Sequence, residues 1–328
     1  MATRSSSPST APYDVIVVGG GPAGLSAATW AARYRRSVLV VDSGEYRNKW
    51  VETSHGYLGS DPANPMTLLE QARADLARYP EVTFCEGRAT AARRHDDGPF
   101  VVTVDEAEYS GLRLVLATGV VDDFPEVDGF FDHYGRSIFH CTTCDGYEAQ
   151  GRSVVILGWG EQVVSFAVGL LNWADNLTVV TEGRSLEGDE RHRRLLARHS
   201  IRLIEDDAVA LLGEPGALRG VRLAGGDVLE TELVFFSIAH RPRLDLARQL
   251  GCEVDDDSCL YVDRDGLTSI PGCYAAGDIT PGFQLAPVAV GKGAAAGVAA
   301  AISLQGEEGS PSSPYPAPNP TAELEEGD

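Results

Sequence analysis

The chain has 328 residues, 43% of them hydrophobic, and a formal net charge of −21. This length predicts two domains, and the acidic excess argues against nonspecific binding to nucleic acid or to anionic membrane surfaces. Residues 1–12 lack the apolar core of a secretory signal, and no apolar run reaches the ~20 residues that span a bilayer. We therefore expect a cytoplasmic protein with no nucleic-acid and no membrane partner.

The first predicted elements are a strand, a glycine turn, a helix and a second strand. A buried-strand run at 13–18 leads into Gly19-Gly20-Gly21-Pro22-Ala23-Gly24, a small-residue helix follows at 25–33, and a strand at 37–41 ends on Asp42. This order and spacing are typical of a dinucleotide-binding unit. In such a unit Gly19 makes the tight turn, Gly21 lets the backbone approach a pyrophosphate, and Asp42 can accept a hydrogen bond from a ribose hydroxyl.

A polar segment with scattered aromatic residues follows from Glu45 to Pro65 and has no clear periodicity. Long irregular segments after a nucleotide unit are often binding loops. His55 in this segment could line a cofactor or substrate site, and a hydrogen-bonded structural histidine is the alternative. Further along, a strand at 112–117 ends on Thr118-Gly119, where small residues let the backbone approach a bound cofactor. The segments 120–128 and 240–242 are predicted to be linkers.

The segment Cys141-Thr142-Thr143-Cys144-Asp145-Gly146 carries a pair of cysteines that can close a small disulfide ring. At a helix start, the backbone N–H groups would lower the pKa of one thiol and make it reactive. In a reducing compartment such a pair is redox-active or metal-binding rather than a structural staple. Zinc would need a second pair at similar spacing, and the remaining cysteines are scattered singly, so we predict a redox pair and no metal site.

A second strand–glycine–helix–strand pattern runs from Val154 to Val180, and its glycine turn is altered. Val163 stands where close helix packing prefers a small residue, and Trp159 is bulky in the turn. Glu161 places a negative charge where a pyrophosphate would bind. Near the end of the chain, a strand meets Gly277-Asp278 and a helix rich in glycine and alanine begins near 286.

These motifs, in this order, resemble the low-molecular-weight thioredoxin reductase family of flavoproteins over residues 13 to 304. The resemblance implies an α/β fold of two nested, three-layer, Rossmann-like dinucleotide-binding domains. An FAD-binding domain would consist of residues 13–121 and 242–304, with a domain of residues 122–241 inserted between its halves. Residues 1–12 and 305–328 are predicted to be disordered, and family members are usually homodimers.

The resemblance also implies roles for individual residues. Cys144 would exchange electrons with FAD, Cys141 would react with the substrate, and Asp145 would be the acid/base group. Gln284 falls near the flavin, where Phe283 replaces an arginine of the family pattern. The full set of predicted cofactor-binding residues is Gly19, Gly21, Pro22, Ala23, Gly24, Asp42, Arg47, Asn48, His55, Thr118, Gly119, Gly277, Asp278 and Gln284.

The chain departs from the family pattern at the nicotinamide site. Members that use NADPH hold its 2′-phosphate with arginines after the second domain's second strand, where this chain has Thr181-Glu182-Gly183 and then Glu187. Two carboxylates in place of two arginines would repel a phosphate, and Thr181 replaces the acid that binds the ribose of NADH. We therefore expect that NAD(P)H is not used; a drifted but working NAD(P)H site is the alternative.

A second branch of the superfamily, the dithiol oxidases of gliotoxin and holomycin biosynthesis, resembles the chain at residues 42–44, at Arg47-Asn48 and at His140 before the first cysteine. His140 could activate the thiol or serve only in packing. Asp145 departs from this branch, which often has histidine after the second cysteine. The sequence thus predicts an FAD-dependent oxidase of a small-molecule dithiol that passes electrons to O₂. The alternatives are an NAD(P)H-dependent or ferredoxin-fed reductase of a thioredoxin-like protein, and a non-enzymatic flavin-binding redox sensor.

Overall fold

The computed structural model describes residues 11–256 and 258–305. Most of the predicted disorder at the two termini, namely residues 1–10 and 306–328, lies outside the described residues. The strands are β1 (Tyr13–Val18), β2 (Val38–Asp42), β3 (Val82–Glu86), β4 (Ala89–Arg94), β5 (Phe100–Val104), β6 (Ala107–Leu116), β7 (Val120–Asp122), β8 (Ile138–Phe139), β9 (Ser153–Leu157), β10 (Asn176–Val180), β11 (Arg202–Ile204), β12 (Ala208–Glu214), β13 (Ala217–Leu223), β14 (Val228–Glu230), β15 (Leu233–Phe236), β16 (His240–Pro242) and β17 (Cys273–Ala275). The α-helices are α1 (Pro22–Arg33), α2 (Pro65–Leu76), α3 (Phe130–His133), α4 (Thr142–Asp145), α5 (Gln162–Leu170), α6 (Glu190–Arg198), α7 (Asp245–Gln249) and α8 (Ala286–Ile302), with short 3-10 helices at Arg47–Trp50 and Tyr147–Ala149.

The first sheet has seven strands in the order β3-β2-β1-β6-β5-β4, with β17 beside β6. Strands β1, β2, β3, β6 and β17 run parallel, and β4 and β5 continue the sheet as antiparallel strands. Side chains alternate between two buried faces: Val15 and Val17 pack with α1 and α8, whereas Ile16 and Val18 pack on the β4–β5 side. The valine-rich strands are those expected of a parallel sheet that is covered on both faces.

Helices α1 and α8 pack closely because both are made of small residues. A Cβ built on Gly293 would lie 2.1 Å from the carbonyl oxygen of Ala23, and one on Gly297 would lie 2.3 Å from that of Ala27. Backbones can approach this closely only where glycine faces alanine. The contact fixes the C-terminal helix against the helix that follows the first glycine turn.

The second sheet has five parallel strands in the order β11-β10-β9-β15-β8. Helices α5 and α6 cover one face, and the antiparallel sheet β12-β13-β14 covers the other. Val163, which stands where close helix packing prefers a small residue, is fully buried in the helix-side core. The predicted α/β class with two Rossmann-like, three-layer units is confirmed.

Two short antiparallel strands join where the chain passes between the sheets. Strand β7 leaves the first sheet, β16 returns to it, and Asp122 is paired with His240 in this ribbon. The segment 120–128, predicted as a linker, thus begins with a strand. We propose that this pair of strands marks the boundary between the two domains, as the predicted limits at residues 121–122 and 241–242 require. No helix among the described residues is long and apolar enough to cross a membrane.

Candidate active site

One large cavity, of about 1260 Å³, lies where the carboxyl ends of several parallel strands meet the segment that carries the redox pair. Every predicted catalytic or cofactor-binding residue lines this cavity except Gly24. Gly24 lies behind the wall, where a Cβ would stand 1.8 Å from the carbonyl oxygen of Gly19. Its role is close packing of helix on turn, and the other predicted residues converge on one space.

The first glycine turn has the shape needed to hold a pyrophosphate. Gly19 has a φ of +118°, and a Cβ there would lie 2.2 Å from the carbonyl oxygen of Ala117. A Cβ on Gly21, in contrast, would meet nothing within 4 Å. The space over Gly21 is open, and α1 begins at Pro22 with its N–H groups at this end. Helix N-termini bind phosphate groups, so these residues fit the pyrophosphate of FAD.

Asp42 is buried, and both of its carboxylate oxygens are already engaged by the protein. Oδ1 accepts from the backbone N–H of Gly44 at 2.9 Å, and Oδ2 accepts from the Tyr46 hydroxyl and the Arg73 guanidinium. Burial, and then the hydrogen bond with Asp42, raise the pKa of Tyr46 and keep it neutral. The structure therefore places Asp42 on the cavity wall as a fixed acceptor, with Tyr46 and Arg73 as supports that the sequence did not reveal.

Arg47 connects separate stretches of chain at the cavity wall. Its Nε and Nη2 donate to Asp122, at 2.8 and 2.6 Å. Its Nη1 donates to Asp278 at 3.1 Å and to Gln284 at 2.8 Å. Burial acts to raise the pKa of Asp122, but the guanidinium outweighs it, and the net shift is downward. Asp278 and Gln284, predicted separately, are thus brought together by one cation.

Gln284 extends this network to His240 on β16. Its Nε2 lies 2.9 Å from Nε2 of the histidine, and burial lowers the pKa of His240. Thr118, at the end of the first sheet, donates to the carbonyl oxygen of Arg243 at 2.7 Å. Asp122 and His240 were missed by sequence reasoning because they lie in segments read as connections.

The redox pair is present as a disulfide. The sulfurs of Cys141 and Cys144 are 1.99 Å apart, and their Cα atoms are 5.2 Å apart. Cys141 is the N-cap of α4, and its Sγ accepts from the N–H of Cys144 at 3.1 Å. A backbone donor aimed at sulfur stabilises negative charge there. Cys141 would therefore be the better thiolate once the disulfide opens.

Asp145 ends helix α4, directly after the second cysteine. Its N–H donates to the carbonyl oxygen of Cys141 at 3.0 Å, which fixes its backbone to the redox pair. Burial, and then the charge of Glu148, raise the pKa of Asp145 to about 7. A carboxyl group with such a pKa can both accept and release a proton near neutral pH.

His140 lies in an aromatic cluster beside the redox pair. Its Nδ1 is 3.0 Å from the Tyr134 hydroxyl, and its ring is 5.8 Å from that of Phe236. Burial, and then the Arg47 charge, lower the pKa of His140 to about 4. The imidazole is therefore neutral at physiological pH, and its Nδ1 is hydrogen-bonded to the Tyr134 hydroxyl.

His55 lies between two carboxylates on the cavity wall. Its Nδ1 is 2.9 Å from Asp61, and its Nε2 is 3.4 Å from Glu148. The loop of the first unit thus reaches the segment that follows the redox pair. Sequence reasoning identified His55 but neither partner, because no motif spacing links the three residues.

The second glycine turn is bridged by its own chain. The Arg184 guanidinium lies 3.9 Å above the Trp159 ring, and the N–H of Glu187 donates to the carbonyl oxygen of Trp159 at 2.8 Å. Thr181 is fully buried, and its hydroxyl donates to the carbonyl oxygen of Arg184. Residues 184–187 therefore fold back onto the turn.

Glu182 follows the second unit's second strand, and burial and a nearby carboxylate outweigh the favourable charge of Arg184. Its φ is +52°, and its Oε1 is buried without a hydrogen bond among the described residues. Burial, and then the Asp207 charge, raise the pKa of Glu182 to about 7. The position where the family pattern has a phosphate-binding arginine thus holds a carboxyl group that resists ionisation.

Comparison with known proteins identifies the family of the chain. The family model of pyridine nucleotide-disulphide oxidoreductases matches residues 13–293. Thioredoxin reductase aclD of Aspergillus oryzae is 30% identical over 308 residues, which are 90% of this chain and 98% of that protein. The crystal structure of HlmI is 34% identical, with a TM-score of 0.84 over 90% of this chain and 93% of that one. Thioredoxin reductase from Streptococcus pyogenes is 25% identical, with a TM-score of 0.82 over 89% and 98%.

The chain belongs to the pyridine nucleotide-disulphide oxidoreductase family. It is a flavin-dependent thiol/disulfide oxidoreductase of the thioredoxin reductase type, as the resemblance in the sequence predicted. The family implies FAD binding, and the glycine turn of residues 19–24 fits that cofactor.

Proposed function

We propose that the protein is an FAD-dependent dithiol oxidase that forms a disulfide in a small molecule and passes the electrons to O₂. The observation that carries the proposal is a contrast between the two nucleotide-type units. The first glycine turn opens into the same cavity as the Cys141–Cys144 disulfide, whereas the second is bridged by its own chain at Trp159 and Arg184.

The chain's own groups suit attack by a substrate thiol on the disulfide. Cys141 is partly exposed, and the N–H of Cys144 stabilises the thiolate that Cys141 becomes when it leaves the mixed disulfide with the substrate. Asp145, whose pKa is raised to about 7, accepts the proton of the attacking thiol. FAD, when bound, supplies a two-electron acceptor beside the redox pair.

The side chains at the mouth of the cavity favour the binding of a small, partly apolar substrate. Tyr147 and Phe283 line the cavity and are 72% and 78% exposed. Exposed aromatic rings at the edge of a cavity offer apolar contact area to a bound molecule. Phe283 also replaces a family arginine, which makes this edge less cationic.

We further propose that NAD(P)H is not the electron donor. Thr181 is fully buried and bonded to its own chain, so its hydroxyl does not face a ribose. Glu182 and Glu187 stand where a 2′-phosphate would need cations.

We propose in addition that the protein is a homodimer, as the family resemblance implies. A measurement of its molar mass in solution tests this.

An NAD(P)H-dependent reductase of a thioredoxin-like protein is the second candidate, and a ferredoxin-fed reductase is its variant. Asp145 favours this candidate, because the resemblance marks an acid after the second cysteine as typical of reductases. Proteins named thioredoxin reductase are also among the relatives.

An anaerobic titration of the holoenzyme separates the candidates. The oxidase proposal expects the flavin absorbance to be lost on adding dithiothreitol but not on adding stoichiometric NADPH or NADH. Admitting air should then restore the absorbance and yield one peroxide per dithiol oxidised. Bleaching by a stoichiometric amount of NADPH or NADH would refute the oxidase proposal and support the reductase.

A further inference from the structure

The loop of the first unit and the segment after the redox pair meet at the cavity wall around His55. The imidazole is 2.9 Å from Asp61 through Nδ1 and 3.4 Å from Glu148 through Nε2. The N–H of Gly56 donates to the other oxygen of Asp61 at 3.0 Å, which holds that carboxylate in place. His55, Asp61 and Glu148 line the same cavity as Asp145.

The second oxygen of Glu148 lacks a partner. Oε2 is buried and makes no hydrogen bond within residues 11–256 and 258–305. A buried carboxylate oxygen without a donor costs free energy. Glu148 thus places an unpaired carboxylate oxygen near His55, three residues after Asp145 in the chain.

The chemistry of dithiol oxidation releases two protons for each pair of electrons. One substrate S–H loses its proton, its sulfur bonds to Sγ of Cys141, and the bond to Cys144 breaks to leave a thiolate. The second S–H loses its proton, its sulfur bonds to the first substrate sulfur, and Cys141 leaves as a thiolate. Asp145 can hold one of these protons, so the charged groups around it affect this step.

We propose that Glu148 and His55 form a pair that sets the charge around Asp145, while Asp61 fixes the imidazole from the far side. Glu148 and His55 are positioning residues in this scheme, since they act through Asp145. The inference rests on the proposed oxidation of a dithiol at the Cys141–Cys144 disulfide.

Few titratable groups face Asp145. The titratable groups that face Asp145 are Glu148, His55 and the Tyr134 hydroxyl. Helix α5, which packs against α4, has no charged residue between 162 and 170. Glu148 acts to raise the pKa of Asp145, whereas His55 acts to lower it. Removing the two neighbours should therefore shift this pKa in opposite directions.

The test mixes the holoenzyme with dithiothreitol without O₂ and follows the loss of flavin absorbance between about pH 5 and 9. The rate of the wild-type protein should rise through a midpoint near pH 7, because the carboxylate form of Asp145 accepts the proton. Asp145→Asn should lose this midpoint. Glu148→Gln should move it down by about one pH unit, and His55→Asn should move it up.

Glu52→Gln is the matched control, since Glu52 pairs with Arg136 at 2.5 Å on an exposed part of the same loop. It should leave the midpoint unchanged. Midpoints that stay at the wild-type value in both variants, or that move in the same direction, would overturn the inference. Should Glu148→Gln not fold, the direction of the His55→Asn shift decides. If dithiothreitol does not bleach the wild-type flavin, the proposed function itself fails.

Discussion

Arg47 and Asp122 form a two-bonded fork, with Nε and Nη2 of the guanidinium donating to the two carboxylate oxygens at 2.8 and 2.6 Å. Their side chains are 16% and 6% exposed. The pair joins the loop after the first nucleotide unit to β7, the strand on which the chain leaves the first sheet. Parallel bonds between a guanidinium and a carboxylate give geometric specificity as well as free energy, so this fork holds the crossing in place.

Removal of Arg47 should strongly destabilise the fold. Arg47→Ala leaves Asp122 buried without its cation, which costs about 3–5 kcal/mol in the free energy of unfolding. Adding Asp122→Asn to Arg47→Ala should recover part of the loss. Because the pKa of Asp122 is lowered in the folded state, the stabilisation is complete at neutral pH and is lost as the pH falls below about 4. Urea unfolding at pH 7 and at about pH 2.5 measures both effects.

Arg193→Ala is the control for this prediction. Arg193 pairs with Glu205 at 2.6 Å, but the two side chains are 35% and 37% exposed. A solvent-exposed pair contributes about 0–1 kcal/mol. Equal losses for Arg47→Ala and Arg193→Ala would contradict the special role of the buried fork.

Either cysteine of the redox pair should be essential for turnover. Cys141→Ser and Cys144→Ser each remove the disulfide that accepts the substrate's electrons, so O₂ consumption with dithiothreitol should fall to the background rate of free FAD. Cys85→Ser is the control, because the Cys85 thiol lies 3.6 Å from the Tyr109 hydroxyl and does not line the cavity. Full turnover in Cys141→Ser would show that the pair is not the redox centre.

Gly24→Ala should weaken FAD retention although residue 24 does not line the cavity. The added Cβ would lie 1.8 Å from the carbonyl oxygen of Gly19, so the turn must shift. Overpacking of this kind costs about 1–3 kcal/mol. The ratio of flavin to protein after purification measures the effect. Gly169→Ala, where a Cβ meets nothing within 4 Å, should keep the wild-type ratio, and an unchanged ratio in Gly24→Ala would refute the prediction.

Glu182→Gln should stabilise the protein above neutral pH. The pKa of Glu182 is raised to about 7 in the folded state from about 4.3 in the unfolded chain, so the folded state binds the proton more tightly. Stability is therefore lost as the pH rises through this interval, and glutamine removes the dependence. Melting temperatures at pH 5 and pH 8 test this. Glu187→Gln, at an exposed position, is the control. A melting temperature of Glu182→Gln below that of the wild-type protein at pH 8 would contradict this prediction.

Local motifs made much of the site predictable. The glycine turn from Gly19 to Gly24 and the redox pair each occupy one short stretch, and their chemistry depends on residues a few positions apart. The same is true of the alternating strands and small-residue helices, which predicted the two α/β units. Where the spacing of residues within one segment decides the structure, the sequence alone is sufficient to predict that structure.

The supporting contacts were not predictable, because their partners are distant in the chain. Asp122 lay in an assumed linker and becomes a buried partner only when β7 pairs with β16. Glu148 and Asp61 meet through His55, and no pattern links the three. Val163, which stands where the family pattern prefers a small residue, is fully buried in the helix-side core.

The close contact of α8 with α1 bears on the order of events during synthesis. Strand β17 and helix α8 complete the first sheet and its helix layer, but they follow the whole inserted unit in the chain. A ribosome-bound chain that ends before Cys273 thus lacks one strand and the covering helix, while the five strands of the second sheet are already available. The inserted unit can therefore fold first, and the helix layer behind the first glycine turn is complete only after β17 and α8 have been translated.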